Sequence, residues 1–73
     1  MAQLSSKQYD ALEGAITAGR RIAVRRRGAT EVVVLPTRLR LVHGREQIEA
    51  RHPTTGDRME LWVDEIVGFE VVR

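Results

Sequence analysis

The chain has 73 residues, with 12 Lys and Arg against 10 Asp and Glu and no cysteine. That length holds one small domain with a modest core, and the missing cysteines exclude disulfides and thiolate metal sites as staples. Hydrophobic residues make up 42%, enough for a folded domain rather than a disordered one, and no segment approaches the ~20 apolar residues that span a bilayer.

The start carries no apolar run behind a basic end, so no secretory signal is read there. The expectation is a soluble cytoplasmic protein, one domain over residues 1–73, with no membrane partner. Stability must come from packing, or from packing plus self-association. Charge is unevenly spread. Residues 1–45 carry nine Lys and Arg against three acids; residues 46–73 carry three against seven. In a compact sheet such halves can pair across strands.

"LSSKQY" marks a helix start. Ser5 is a candidate N-cap with Gln8 three residues on, and Leu4 and Tyr9 stand at the positions of a hydrophobic staple. Tyr9, Leu12, Ala15 and Ile16 share one helical face, and Gly19 supplies a left-handed stop. The helix is predicted over about 6–18. Gly14 inside it costs roughly 1 kcal/mol relative to alanine and suggests a close approach by a packed neighbour.

After Gly19 the period becomes two. In "GRRIAVRRRG", Ile22 and Val24 point one way and Arg21, Ala23 and Arg25 the other. Gly28-Ala29 reads as a turn. "TEVVVLP" is a β-branched strand with a bend or edge at Pro36. "RLRLV" puts Leu39 and Leu41 on one face and Arg38 and Arg40 on the other. His43-Gly44 makes a two-residue hairpin turn, which sets Arg38 opposite Glu49 and Arg40 opposite Gln47. "REQIEAR" carries Ile48 and Ala50 inward. After the "HPTTGD" turn, Met59, Leu61 and Val63 point inward. Gly68 reads as a break before a last strand with Phe69 and Val71 inward. Strands are predicted over about 20–27, 31–42, 45–52, 57–64 and 68–72. The fold class is mainly β with one N-terminal helix, and short antiparallel strands in so small a chain close best into a small barrel, with the helix capping one end.

This order of elements resembles the five-stranded SH3-like, Sm-type barrel, and more closely the WYL domain, a bacterial ligand-sensing module of that fold. "LEGAITAGRRIAVRRRG" looks like that family's helix and first strand, and "VLPTRLRLVHGREQIEARHPTTGDRMELWVDEI" like its central region. Leu35-Pro36 stands where the family carries an acidic residue and proline, and Val63–Ile66 resembles its late Leu-Asp-Arg-Ile motif. The chain departs from the family at Glu46, Gln47 and Ile48, where the family has Trp-Tyr-Leu. It departs again at Trp62 and Glu65, where the family places basic residues for anionic or nucleic-acid ligands. The resemblance implies a regulatory, ligand-sensing role linked to transcription. WYL domains usually follow a helix-turn-helix domain; a chain of this length is expected to act as a stand-alone module, a subunit of something larger, or a divergent Sm-like relative.

The arginines are the leading candidates for a site. Arg25 and Arg27 on the first strand, with Arg38 and Arg40 on its predicted neighbour, would form one outward basic stripe. Arginine's planar fork suits phosphate, so such a stripe can hold a single-stranded nucleic acid or another anionic ligand with strong salt dependence. The alternative is a solvated face whose arginines pair with acids across strands. Trp62, between inward Leu61 and Val63, is expected to face out, as a stacked-base or subunit contact or as a cation–π partner of an arginine. His43 and His52 lie in turns and make only a weak metal case without cysteine. Asp57, Asp64 and Glu65 lack a His or Ser partner, and no phosphate loop or nucleophile elbow is present. No catalytic residue, metal or cofactor is therefore assigned. The expectation is a non-enzymatic binding module, or alternatively a self-assembling, homo-oligomeric interaction domain that uses Trp62 and an edge strand.

Overall fold

The computed structural model describes residues 4–72. The helix α1 covers Ser6–Ala18, the predicted span, because both its ends are set locally. The Ser5 hydroxyl accepts the Gln8 N–H at 3.2 Å, and the Gln8 side chain accepts the Ser5 N–H at 2.8 Å. These two bonds satisfy donors that a helix start otherwise leaves orphaned. Gly19 adopts φ 67°, and the Arg20 N–H returns to the Ala15 carbonyl at 2.9 Å, closing the helix with a left-handed cap. Leu12 and Ala15 are buried, with Tyr9 and Ile16 packed at the margin. Gly14 is exposed, and a Cβ there would meet nothing within 4 Å. The expected close neighbour is absent.

Five antiparallel strands follow: β1 Ile22–Arg26, β2 Val32–Val42, β3 Arg45–Arg51, β4 Arg58–Trp62 and β5 Ile66–Val71. Their order in the sheet is β4-β3-β2-β1-β5. β2 changes partner along its length. Val32–Val34 pair with β1, and from Leu35 onward the strand pairs with β3. The register shifts between Pro36 and Arg38, where an unpaired Thr37 forms a bulge and bends the strand. The molecule is thus two half-sheets sharing one bent strand.

The strands are slightly shorter or shifted at most of their ends, and the late strands differ most from the sequence expectation. β4 ends at Trp62, because Val63–Glu65 form a 3-10 turn. β5 begins at Ile66 and runs through Gly68, which pairs with Arg25 and does not break the strand. The glycine is tolerated because the Arg25 guanidinium lies over it, where a Cβ would meet Nη2 at 2.6 Å. Leu41, on the same face as Leu39, is 67% exposed, because this end of β2 runs past the core.

The four-residue step from Trp62 to Ile66 carries the chain from one sheet edge to the other. It reaches at most ~14 Å, less than the width of five flat strands at ~4.8 Å spacing, so the sheet must curl there. No β4–β5 pairing closes it among the described residues, and the sheet remains open. Ile22, Val24, Val34, Ile48, Leu61 and Leu12 are fully buried between sheet and helix, which packs against β2 and β5. No helix among the described residues is long and apolar enough to cross a membrane.

Candidate nucleic-acid interface

The pleat of the β2–β3–β4 half-sheet decides which side chains face out. Ile48 and Ala50 of β3 and Leu61 of β4 are buried inward, so their alternate neighbours point to the opposite face. That outward face is ordered in cross-strand rows. Arg40, Gln47 and Trp62 form one, with Gln47 itself buried and Trp62 half-buried, and Arg38, Glu49 and Glu60 the next; Arg51 and Arg58 stand opposite each other in a third. Arg45 joins from the start of β3. Five arginines and the single tryptophan therefore lie on one surface.

Hairpin geometry sets these rows. His43 and Gly44 both take left-handed φ, 49° and 79°, as a two-residue turn matched to strand twist requires. This fixes Arg38 opposite Glu49 and Arg40 opposite Gln47, the register expected from sequence.

Glu49 holds both outer arginines of β2. Arg40 Nη1 donates to it at 2.6 Å and Arg38 Nη2 at 3.3 Å. The two guanidinium groups, Arg40 first, hold the Glu49 carboxyl below the ordinary glutamate range. One carboxylate serves two arginines, while Glu60, the next acid of the row, makes no ion pair among the described residues. Arg45 is matched one to one: its fork donates to both Asp64 oxygens at 2.9 Å, and its guanidinium lies 4.1 Å over the centre of the Trp62 ring. Arg45 in turn holds the Asp64 carboxyl low. Arg51 and Arg58 have no carboxylate partner among the described residues; Arg51 donates instead to the Gly56 carbonyl at 3.0 Å. Like charges directly opposite are unfavourable in a sheet, and the opposed acids Glu49 and Glu60 of the adjacent outward row offset part of that cost.

The expected stripe of Arg25 and Arg27 with Arg38 and Arg40 is not assembled. β1 pairs only with the first part of β2, with Val24 opposite Val32. Continued, that register sets Glu31 opposite Arg25, seven positions before Arg38, or about 23 Å along the chain at ~3.3 Å per residue. Arg25 covers Gly68 on the far half-sheet. Arg27 lies in the turn after β1, its N–H donating to the Glu65 carbonyl at 2.9 Å. There it borders a shallow cleft with Gln8 and Val67. Arg26 turns inward past a register shift in the β1–β5 pairing.

Trp62 faces outward as expected and carries Arg45 as its cation–π partner. Sequence reasoning missed Arg45, Arg51 and Arg58. Strict alternation about Ile48, Ala50 and Leu61 would have found them. It also missed Glu46, on the inward side of β3, whose carboxylate accepts the Tyr9 hydroxyl and ties α1 to the sheet. That bond, more than burial, pushes the Tyr9 phenol up to about 12. His52 organises its own turn, Nδ1 accepting the Thr54 and Thr55 N–H groups at 3.2 Å. No family model, curated protein or solved structure matches this chain.

Proposed function

We propose that this chain is a non-enzymatic small-barrel binding module of the WYL-like or Sm-like kind, acting in the cytoplasm in a regulatory role. Its ligand is a single-stranded nucleic acid, bound as a polyanion along the outer face of β2–β3–β4. The observation that carries the reading is the opposed pair Arg51 and Arg58, neither of them in an ion pair among the described residues, beside Arg38 and Arg40, which share Glu49, with Glu60 the further acid of that row. Guanidinium forks match phosphate oxygens in pairs, and such a surface supplies affinity without base readout. Trp62 on the same face adds a flat ring for stacking.

The test is titration of a labelled single-stranded oligonucleotide at low and moderate salt. With about three phosphates neutralised, the logarithm of affinity should fall against the logarithm of salt with a slope of about −2. Arg38→Glu/Arg40→Glu should lose at least about tenfold at low salt. An oligonucleotide that fails to bind at low salt overturns the reading.

A second reading is favoured by a separate observation. Both edge strands, β4 and β5, have a sheet neighbour on one side only among the described residues, and Val67 on β5 is 67% exposed. Unprotected edges recruit other strands, so this reading is a homo-oligomer built by edge pairing. It predicts a salt-tolerant assembly by light scattering, disrupted by Val67→Lys and indifferent to Arg38→Glu/Arg40→Glu.

A further inference from the structure

The arrangement at Arg45 goes one step beyond a basic surface, and rests on the nucleic-acid reading of this face. The Arg45 guanidinium is parked over the aromatic ring that a base would use, 4.1 Å from its centre, and is held there by two 2.9 Å hydrogen bonds to Asp64. We infer that Trp62 is a base-stacking subsite that the unbound protein covers with Arg45. Asp64 acts as the internal anion that keeps the cover closed until a phosphate of the incoming strand replaces it.

Three features support the exchange. First, a carboxylate and a phosphate engage the same guanidinium fork, so Arg45 keeps two charge-assisted hydrogen bonds when it passes from one to the other. Second, the closed pair sits in solvent, with Arg45 46% and Asp64 33% exposed in their side chains. An ion pair this exposed is weak, so opening it is cheap. Third, the aromatic contact improves on exchange. A cation over the half-buried Trp62 ring is held less firmly than a stacked base. The subsite lies in the row of Arg40 and Gln47, so a strand held on Arg38 and Arg40 delivers its next base toward the indole. The ligand class is single-stranded nucleic acid, and a polyanion without bases cannot use the subsite.

Trp62 is the only tryptophan in the chain, which makes its fluorescence a direct readout. Asp64→Asn keeps the side chain's shape and removes the anion. Glu70→Gln, at an exposed position of β5, makes the same change in net charge away from Arg45. Wild type and both variants are titrated with oligo-deoxythymidine and with inorganic polyphosphate. Asp64→Asn should tighten oligonucleotide binding about fivefold, the worth of one exposed ion pair. Glu70→Gln should change it less than about twofold, as expected of a distant, screened charge. Thymidine should quench Trp62, and the gain from Asp64→Asn on polyphosphate should be clearly smaller than on the oligonucleotide. Equal gains from the two variants, equal gains on the two polyanions, or an unquenched Trp62 during oligonucleotide binding each overturn the covered subsite while the basic surface stands. If neither polyanion binds any of the three proteins at low salt, the nucleic-acid reading itself falls and takes this subsite with it.

Discussion

The two half-sheets that share β2 have the same inside and different outsides. Ile22, Val24 and Val34 on the β1 side and Ile48, Ala50 and Leu61 on the β3–β4 side are buried in one common core. Outward, the β2–β1–β5 half carries Val33 opposite Ala23, Ala23 opposite Glu70, and an arginine folded over Gly68. The β2–β3–β4 half carries five arginines, a tryptophan, and acids placed to hold some of those arginines but not all. Alternation fixes which residues go inside and leaves the outward set free to specialise. Charge is concentrated where the fold least needs it, which is why the β3–β4 side is read as the working face.

The largest effects should show where the halves do not differ. Ile22→Ala and Ile48→Ala each empty a fully buried site, and each should cost about 2–5 kcal/mol. In a domain this small that is a large part of the total stability. Urea unfolding followed by circular dichroism should give similar losses and one cooperative transition for both. A variant that melts one half and leaves the other folded would show that the shared core is not shared.

The next effect should separate the halves. Arg38→Glu/Arg40→Glu and Arg21→Glu/Arg25→Glu change net charge equally, and all four side chains are exposed. The first pair should weaken oligonucleotide binding at least about tenfold, and the second less than about threefold, since it alters only a screened field at a distance. Equal losses would mean that the chain binds through its overall charge and has no working face.

What the sequence made legible follows the same division between local and long-range rules. The helix limits were readable because Ser5, Gln8 and Gly19 act on their own neighbours. The β2–β3 register was readable because a two-residue turn at His43-Gly44 allows one pairing. Not readable was where β2 leaves β1 for β3. Pro36 announces a bend, yet nothing in a linear pattern says that the strand changes partner there. That one event separates Arg25 and Arg27 from Arg38 and Arg40. Gly68 misled for a related reason: a strand glycine looks like a break until the side chain that covers it, Arg25, is known from the pairing.

A smaller effect concerns how α1 is tied to the working half. The Tyr9 hydroxyl donates to Glu46 on the inner side of β3. Tyr9→Phe removes this bond and should cost about 1 kcal/mol. Tyr9 is the only tyrosine, so ultraviolet absorbance reports its ionisation alone. Its phenol should titrate near pH 12, above the ordinary value of about 10. A raised phenol stabilises the fold fully below the ordinary value, and the contribution disappears as pH rises through the folded one. A midpoint near 10 in the folded protein would mean that the bond to Glu46 is not made.

The smallest effect is the one that most sharply distinguishes the two outer faces. Glu49 and Asp64 are held low by Arg40 with Arg38 and by Arg45, respectively. For a depressed carboxyl the stabilising contribution is present above its unfolded value, about 4, and is lost as pH falls through the lower folded value. Both pairs are exposed to solvent, so the stability lost in acid should be slight. Binding should respond with the opposite sign. Protonating Glu49 and Asp64 frees Arg38, Arg40 and Arg45 while backbone phosphates remain ionised, so oligonucleotide affinity should rise as pH falls over that range. Glu49→Gln/Asp64→Asn should already have the higher affinity at neutral pH and should flatten the profile, whereas Glu70→Gln should leave the slope intact. An affinity that falls in acid, or a slope that survives the double substitution, would show that these two carboxylates do not hold the arginines back from a ligand.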